Sequence, residues 1–319
     1  MAKRKPTEFA INMNLEKLMI LQQPELKAVN DQNYFDESNP CHIYFIGKRP
    51  RISIDPDDFT INNETLDFHF NIQYGNSFQK RALRLRNDMG TSNVRMVSQY
   101  PFTTFTLYEK DTNAQLFFGK SALVLQQFAS NDRDCIDLEI LYIGQSYGVD
   151  GARTAPDRLQ SHSTLQAIYA EATSNNPDSE IWLALASFEQ INLMMMDGRT
   201  GFTEEELAFD KADFKRVFST LNYGGINEQQ KINFTEAALI KYFQPRYNKI
   251  YKDSFPNPAH ETYRDCYDLD INSVCIELQT MEMANCKFYS DVVERAPWHM
   301  HDFLLHSAVE RKSMFEIDF

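Results

Sequence analysis

The sequence predicts an α+β fold: a small α/β domain with an appended antiparallel β-rich region. Three observations predict it. Between residues 31 and 120, short apolar runs alternate at period two and are punctuated by Gly, Pro, Asn and Asp, the pattern of half-buried strands joined by turns. From Ser121 onward, longer segments with apolar residues at helical spacing are interleaved with apolar runs such as Glu180–Phe188, the pattern of mixed helix and strand. An apolar share of 43% over 319 residues is enough to fill a core, with length for two domains.

In chain order, a basic arm, MAKRK, precedes Leu15–Leu21. The spacing of Leu15, Leu18 and Met19 predicts a helix stopped by Pro24. Strands are expected at His42–Gly47, Arg51–Ile54, Leu66–Gln73, Val94–Ser98, Thr103–Glu109 and Gln115–Gly119. The last two flank the turn residues Asp111 and Asn113 and read as a hairpin. Ala122–Gln127 and Leu138–Ile143 read as a second hairpin across a polar loop. Thr154 is a candidate N-cap, and Pro156 fits the first turn of a helix ending near Asn175. After the Glu180–Phe188 strand, Met194–Met196 reads as strand core or edge. Helices are expected at Glu204–Leu221 and Asn227–Phe243, the second ended by Gln244-Pro245. Ser273–Leu278 and Cys286–Ser290 read as strands that return to the N-terminal sheet. Three stretches result: a β-rich region at 1–120, an α/β domain at 121–256 and an acidic extension at 257–319.

No apolar run approaches the roughly 18–20 residues that span a bilayer, and no signal-type segment follows the basic arm. No membrane partner is expected, and the expected location is cytoplasmic. Five scattered cysteines without a C-x-x-C pair argue against a disulfide framework and a cysteine-ligated zinc. His299, His301 and His306 with Asp302 lack ligand spacing, so a packing role is expected. The net charge is −13, but the acidity lies behind residue 120, and basic residues cluster at Lys48-Arg49-Arg51, at Lys80, Arg81, Arg84 and Arg86 with Arg95, and at Lys241, Arg246, Lys249 and Lys252. Such clusters are candidates for holding a phosphate backbone.

The chemistry concentrates in two stretches. Tyr142-Ile143-Gly144-Gln145-Ser146 ends a strand, and the helix after it carries Arg158 and His162 four residues apart, on one face. Alone, such a pair is most often a solvated polar face. The second stretch is Glu236-x-x-Leu239-Ile240-x-x-Phe243-x-Pro245-x-Tyr247-Asn248. Together, in this order, these motifs resemble the GIY-YIG nuclease family of homing and restriction endonucleases and excision-repair incision subunits, over about residues 120–252.

The resemblance implies a metal-dependent endonuclease acting on DNA. Glu236 would be the sole protein ligand of Mg²⁺ or Mn²⁺, with water and phosphate oxygens completing the shell. Arg158 would contact the phosphate as charge builds. Tyr142 would orient or deprotonate the attacking water, with help from His162. Asn248 would hold the end of the Glu236 helix or orient substrate. Restriction or phage defence is the setting suggested by family habit, with the β-rich region serving target recognition, a protein partner or a homo-oligomer contact. The family's first motif also places a tyrosine on the strand beside Leu138–Ile143. Ala122–Phe128 is the expected strand, and no tyrosine occurs between Tyr108 and Tyr142. Three outcomes stay open: another group takes that role, Tyr108 reaches in through a long insertion, or the domain is a catalytically silent module that binds nucleic acid or protein.

Overall fold

A computed structural model describes residues 4–32, 34–35, 40–129, 133–146, 159, 163–198, 201–261, 264–307 and 309–316. The expected helix at Leu15–Leu21 is instead the second half of a long strand, β1 (Thr7–Leu21). Phe9, Ile11, Met13 and Leu15 point into one core at period two, and Leu18 and Ile20 continue it. A bulge between Leu15 and Lys17 shifts the inward positions from odd to even numbers. That shift is what makes Leu15 and Leu18 look helical in the sequence.

The next strand, β2 (Ile43–Pro50), is followed by an excursion of seven strands. β3 (Ile52–Ile54), β4 (Thr60–Ile61), β5 (Thr65–Tyr74) and β6 (Ser77–Arg86) form one antiparallel sheet. β7 (Val94–Ser98), β8 (Thr104–Glu109) and β9 (Gln115–Lys120) form another, in which β8 and β9 make the expected hairpin. The chain then returns through β10 (Leu138–Gln145), β11 (Ser179–Met196), β12 (Ser273–Leu278), β13 (Phe288–Tyr289) and β14 (His299–Leu304). These join β1 and β2 in a seven-stranded sheet of order β13-β10-β2-β11-β1-β12-β14. The sheet therefore takes strands from all three sequence stretches. The fold is α+β, and no described helix is long and apolar enough to cross a membrane.

The helices used below are α1 (Leu26–Asp31), α2 (Ser121–Phe128), α3 (Ser163–Asn175), α4 (Glu204–Ser219) and α5 (Glu228–Phe243). α2 replaces the strand expected at Ala122–Gln127. Its buried residues Ser121, Ala122, Val124 and Leu125 follow a helical stripe. The partner of β10 is consequently β2, across the whole excursion. The large sheet is covered on both faces. Tyr44, Ile46, Leu183 and Leu185 pack with Leu26 and with Leu165 and Ile168 of α3. On the other face, Phe45, Trp182 and Ala184 pack with Phe234, Ala237 and Phe243 of α5.

Two buried ionic features secure this arrangement. Arg49 is 1% exposed, stacks 3.6 Å over the Trp182 ring and donates to Gln126; burial lowers its pKa to about 10. At the far end of the sheet, Arg311 donates to the fully buried Glu8 and to Asp270, which also bonds Lys5 and His306. Burial by itself would raise the Asp270 carboxyl, but these partners outweigh it and hold the group well below the usual carboxylate range.

Candidate functional site

The site is built on the paired ends of β2 and β10. Between Ile140 and Tyr142 the register slips by one residue, so that Ile140 faces Gly47 and Tyr142 faces Ile46. Without that bulge Tyr142 would lie on the Phe45 face, because side chains alternate along a strand. With it, Tyr142 shares a face with Tyr44, which stands opposite Gly144. The two rings lie 6.2 Å apart, tilted by 33°. A Cβ on Gly144 would meet Tyr44 Cζ at 2.5 Å and Tyr142 Cε1 at 2.8 Å. The glycine is thus required by the tyrosine that lies over it. Tyr44 is fully buried, and Tyr142 is half-buried.

The strand expected to bring no tyrosine therefore brings Tyr44, from His42-Ile43-Tyr44. The signal was present in the sequence, as an Ile-Tyr pair opening an apolar strand. It was missed because residues 51–137 separate it from the strand it pairs with. Tyr108, the other tyrosine considered, lies on β8 in a different sheet, with Arg95 4.8 Å from its ring.

Asn248 fixes the backbone of the same strand. Its amide accepts from Ile143 N at 2.9 Å and donates to Ile143 O at 2.7 Å, and Tyr247 N donates to Leu141 O. The local sequence explains how it arrives there. Gln244 adopts a left-handed conformation (φ 50°) that caps α5, and Pro245 cannot continue the helix. The chain then runs along the side of β10 away from β2, past the short pairing with β13. Asn248 thus holds the Ile143 backbone, next to Tyr142, rather than the end of the helix, which Gln244 caps.

Glu236 lies half-buried on α5. Asn233, one turn earlier on the same side, accepts from Gln145 Nε2 at 2.7 Å. The structure does not bring Glu236 and the tyrosines onto one face: α5, which carries Glu236, packs on one side of the sheet, whereas Tyr44 and Tyr142 pack on the other with α3. His42 closes the Gly144–Ser146 end of β10 through Nδ1 to Ser146 O, 2.6 Å. Beside it lies a cavity of about 200 Å³ lined by His42, Ile43, Ile232 and Thr235 among others; Tyr142 and Glu236 do not line it. Arg158 and His162 lie outside the described residues. Leu159, between them in sequence, is buried in the cluster that holds Tyr44 and Leu141.

No group of three or more His, Cys, Asp or Glu that could hold a metal occurs among the described residues. A single carboxylate, Glu236, is a hard donor of the kind Mg²⁺ and Mn²⁺ accept when water and substrate complete the shell.

The basic clusters fare unequally. Arg49 is buried on Trp182, and Lys48 pairs with Glu139 at 3.5 Å, so this cluster is not a free phosphate-binding surface. On β6, Lys80, Arg84 and Arg86 are exposed on one face, while Arg81 points to the other. Each exposed cation has a carboxylate beside it: Asp55 and Asp58 for Lys80, Asp67 for Arg84, Asp88 for Arg86. That patch is closer to neutral than its sequence suggests. Arg246 and Lys249 are exposed and bracket Asn248, with Lys241 and Lys252 half-buried nearby; Arg246 lies 3.6 Å from Asp291. His299 is a packed residue: Nε2 bonds Phe288 O and Nδ1 meets the Tyr242 hydroxyl.

Comparison with known proteins returned no matching family model, no similar curated protein and no similar solved structure.

Proposed function

We propose that this chain is a GIY-YIG-type endonuclease that hydrolyses DNA phosphodiester bonds with Mg²⁺ or Mn²⁺ held by Glu236. The observation that carries the reading is the pairing of β2 with β10, which sets Tyr44 over Gly144 and beside Tyr142. The tyrosine that the resemblance requires has a candidate in Tyr44. The element order β2, β10, α3, β11, α4, α5 also fits the family's hairpin, helix, strand, helix, helix order, with residues 51–137 inserted between the hairpin strands.

In this reading, water attacks phosphorus, the bond to the 3′ oxygen breaks, and products with a 5′ phosphate and a 3′ hydroxyl leave. The metal ion, when bound, supplies Lewis-acid stabilisation of the leaving oxygen. Tyr142 orients the attacking water and takes its proton. A phenol titrates near 10, so it needs a cation or an imidazole nearby to act as a base; Arg158 and His162 are the candidates. Asn248 keeps Tyr142 in register by holding Ile143. Arg246 and Lys249 hold the DNA backbone beside that clamp.

A second reading has its own support. Tyr44 is fully buried, and the β6 cations are paired, which suits a silent module of the same fold that binds a partner. Incubation with plasmid DNA in Mg²⁺, Mn²⁺ and EDTA separates the two. The nuclease reading expects nicking that requires metal and is lost in Glu236→Ala, Tyr142→Phe and Arg158→Ala. Intact DNA under all conditions refutes activity of the isolated protein, and cutting that survives Glu236→Ala refutes the site.

A further inference from the structure

β11 is longer than the strand beside it. β2 pairs with it only from Ser179 to Ala186, whereas β1 follows it from Leu183 to Met196. From Ser187 to Met196, the side away from β1 has no strand against it among the described residues. No backbone hydrogen bond to another described segment is made there. An open row of backbone donors and acceptors is a template for a further strand. Sheet edges are ordinarily guarded by lysine, proline or a bulge. This one has no lysine, arginine or proline and a single carboxylate, Glu189. Its register with β1 is unbroken from Phe188 to Met196. Ile191 (37% exposed), Met194 (47%) and Met196 (66%) stand in solvent along it.

We propose that Phe188–Met196 is a homodimerisation edge, on which a second copy of this chain adds the same stretch in antiparallel pairing and joins two seven-stranded sheets into one. The edge is complementary to itself. A two-fold axis normal to the sheet keeps each face on its own side, and centred on Asn192 it uses the whole open stretch. Phe188 then faces the partner's Met196, and Ile191 the partner's Leu193. Glu189 faces the partner's Met195, so the one charge of the edge does not meet its copy. The pairing ends at Phe188, two residues short of Ala186, where β2 begins with Ile43, and the partner's Met194–Met196 enter the cavity that Phe188–Gln190 line with His42, Glu228 and Lys231. Leu193 and Met195 already pack on the Ala10, Cys275 and Met314 cluster, so the partner strand extends an existing apolar layer. Nine facing residues give about nine new backbone hydrogen bonds. This inference does not depend on the nuclease reading.

Sedimentation equilibrium across a wide concentration range tests it. The wild-type chain is expected to be a dimer at micromolar concentration. Ile191→Lys with Met194→Lys is expected to raise the dissociation constant by about a hundredfold or more, with circular dichroism unchanged. Register is tested by oxidation. Directly opposed residues have Cα atoms about 4.5–5.5 Å apart, within disulfide reach. Asn192→Cys should therefore cross-link two copies, whereas Glu189→Cys should not. The five native cysteines are buried and do not compete. A wild-type monomer overturns the proposal, including one that captures a foreign strand at this edge. So does a dimer indifferent to the two lysines, or equal cross-linking at both positions.

Discussion

The contact between Tyr44 and Gly144 can be tested by adding one methyl group. In Gly144→Ala the new Cβ would stand 2.5 Å from Tyr44 Cζ and 2.8 Å from Tyr142 Cε1. Ordinary carbon contacts are about 3.5–4.0 Å, so at least one ring must move by about 1 Å. Both rings sit in a packed cluster with Leu141, Leu185 and Leu165, where overpacking costs about 1–3 kcal/mol. Removing the Tyr44 ring should relieve the closer of the two clashes and leave the one with Tyr142. Urea unfolding of wild type, Gly144→Ala, Tyr44→Leu and the double variant forms a cycle. The expected outcome is about 1–3 kcal/mol for the glycine change alone. A favourable coupling of at least about 1 kcal/mol with Tyr44→Leu should accompany it. DNA cleavage, if present, should fall in Gly144→Ala in step with the ring displacement. Additivity within about 0.5 kcal/mol would show that Tyr44 does not lie over Gly144, and the pairing on which the candidate site rests would fail with it.

Three further outcomes are expected. Asn248→Ala leaves both buried polar groups of Ile143 without their side-chain partner. It should cost about 1–3 kcal/mol in denaturant unfolding, and Asn248→Asp, which sets a buried carboxylate oxygen against Ile143 O, should cost at least as much at neutral pH and less once the carboxyl is protonated; a loss in Asn248→Asp that does not change with pH would argue against the clamp. Arg311→Met leaves the fully buried Glu8 carboxylate with only the neutral donors Lys5 N and Asn272 Nδ2 and should cost about 3–5 kcal/mol, with part of the loss recovered by adding Glu8→Gln, which removes the charge and keeps an acceptor; failure of that recovery in thermal melts would point to Arg311 acting elsewhere. His299 has its pKa lowered to about 4, chiefly by burial. Its folded value lies below the unfolded one near 6.5, so the stability held by the neutral ring is present above that pH and drains as pH falls toward 4. The loss is about 3 kcal/mol, and His299→Phe should flatten that part of the stability–pH curve; a curve of unchanged slope would refute the assignment.

Much of the local structure was legible. Period-two alternation located β5, β7 and β8, and turn residues located the β8–β9 hairpin. Helical spacing located α4, and the Gln244-Pro245 break located the end of α5. The Leu15–Leu18 spacing imitates a helix because a bulge changes the inward parity of β1, and bulges carry no local signature there. The apolar content of Ala122–Gln127 suits a strand as well as a buried helix, and its buried residues Ser121, Ala122, Val124 and Leu125 follow the helical spacing.

The candidate site divides in the same way. The sequence by itself determined the strand Tyr142-Ile143-Gly144, the helix that carries Glu236 and the break that delivers Asn248, because propensity, spacing and capping act within a few residues. Only the tertiary structure decided which strand lies beside β10. Closing a loop over residues 51–137 costs entropy that grows only slowly with length. The chain can therefore bring Tyr44 to Gly144 from far away, and nothing near either residue announces it. The one-residue bulge that turns Tyr142 onto the Tyr44 face is likewise fixed by pairing across β2, not by the residues of β10 alone.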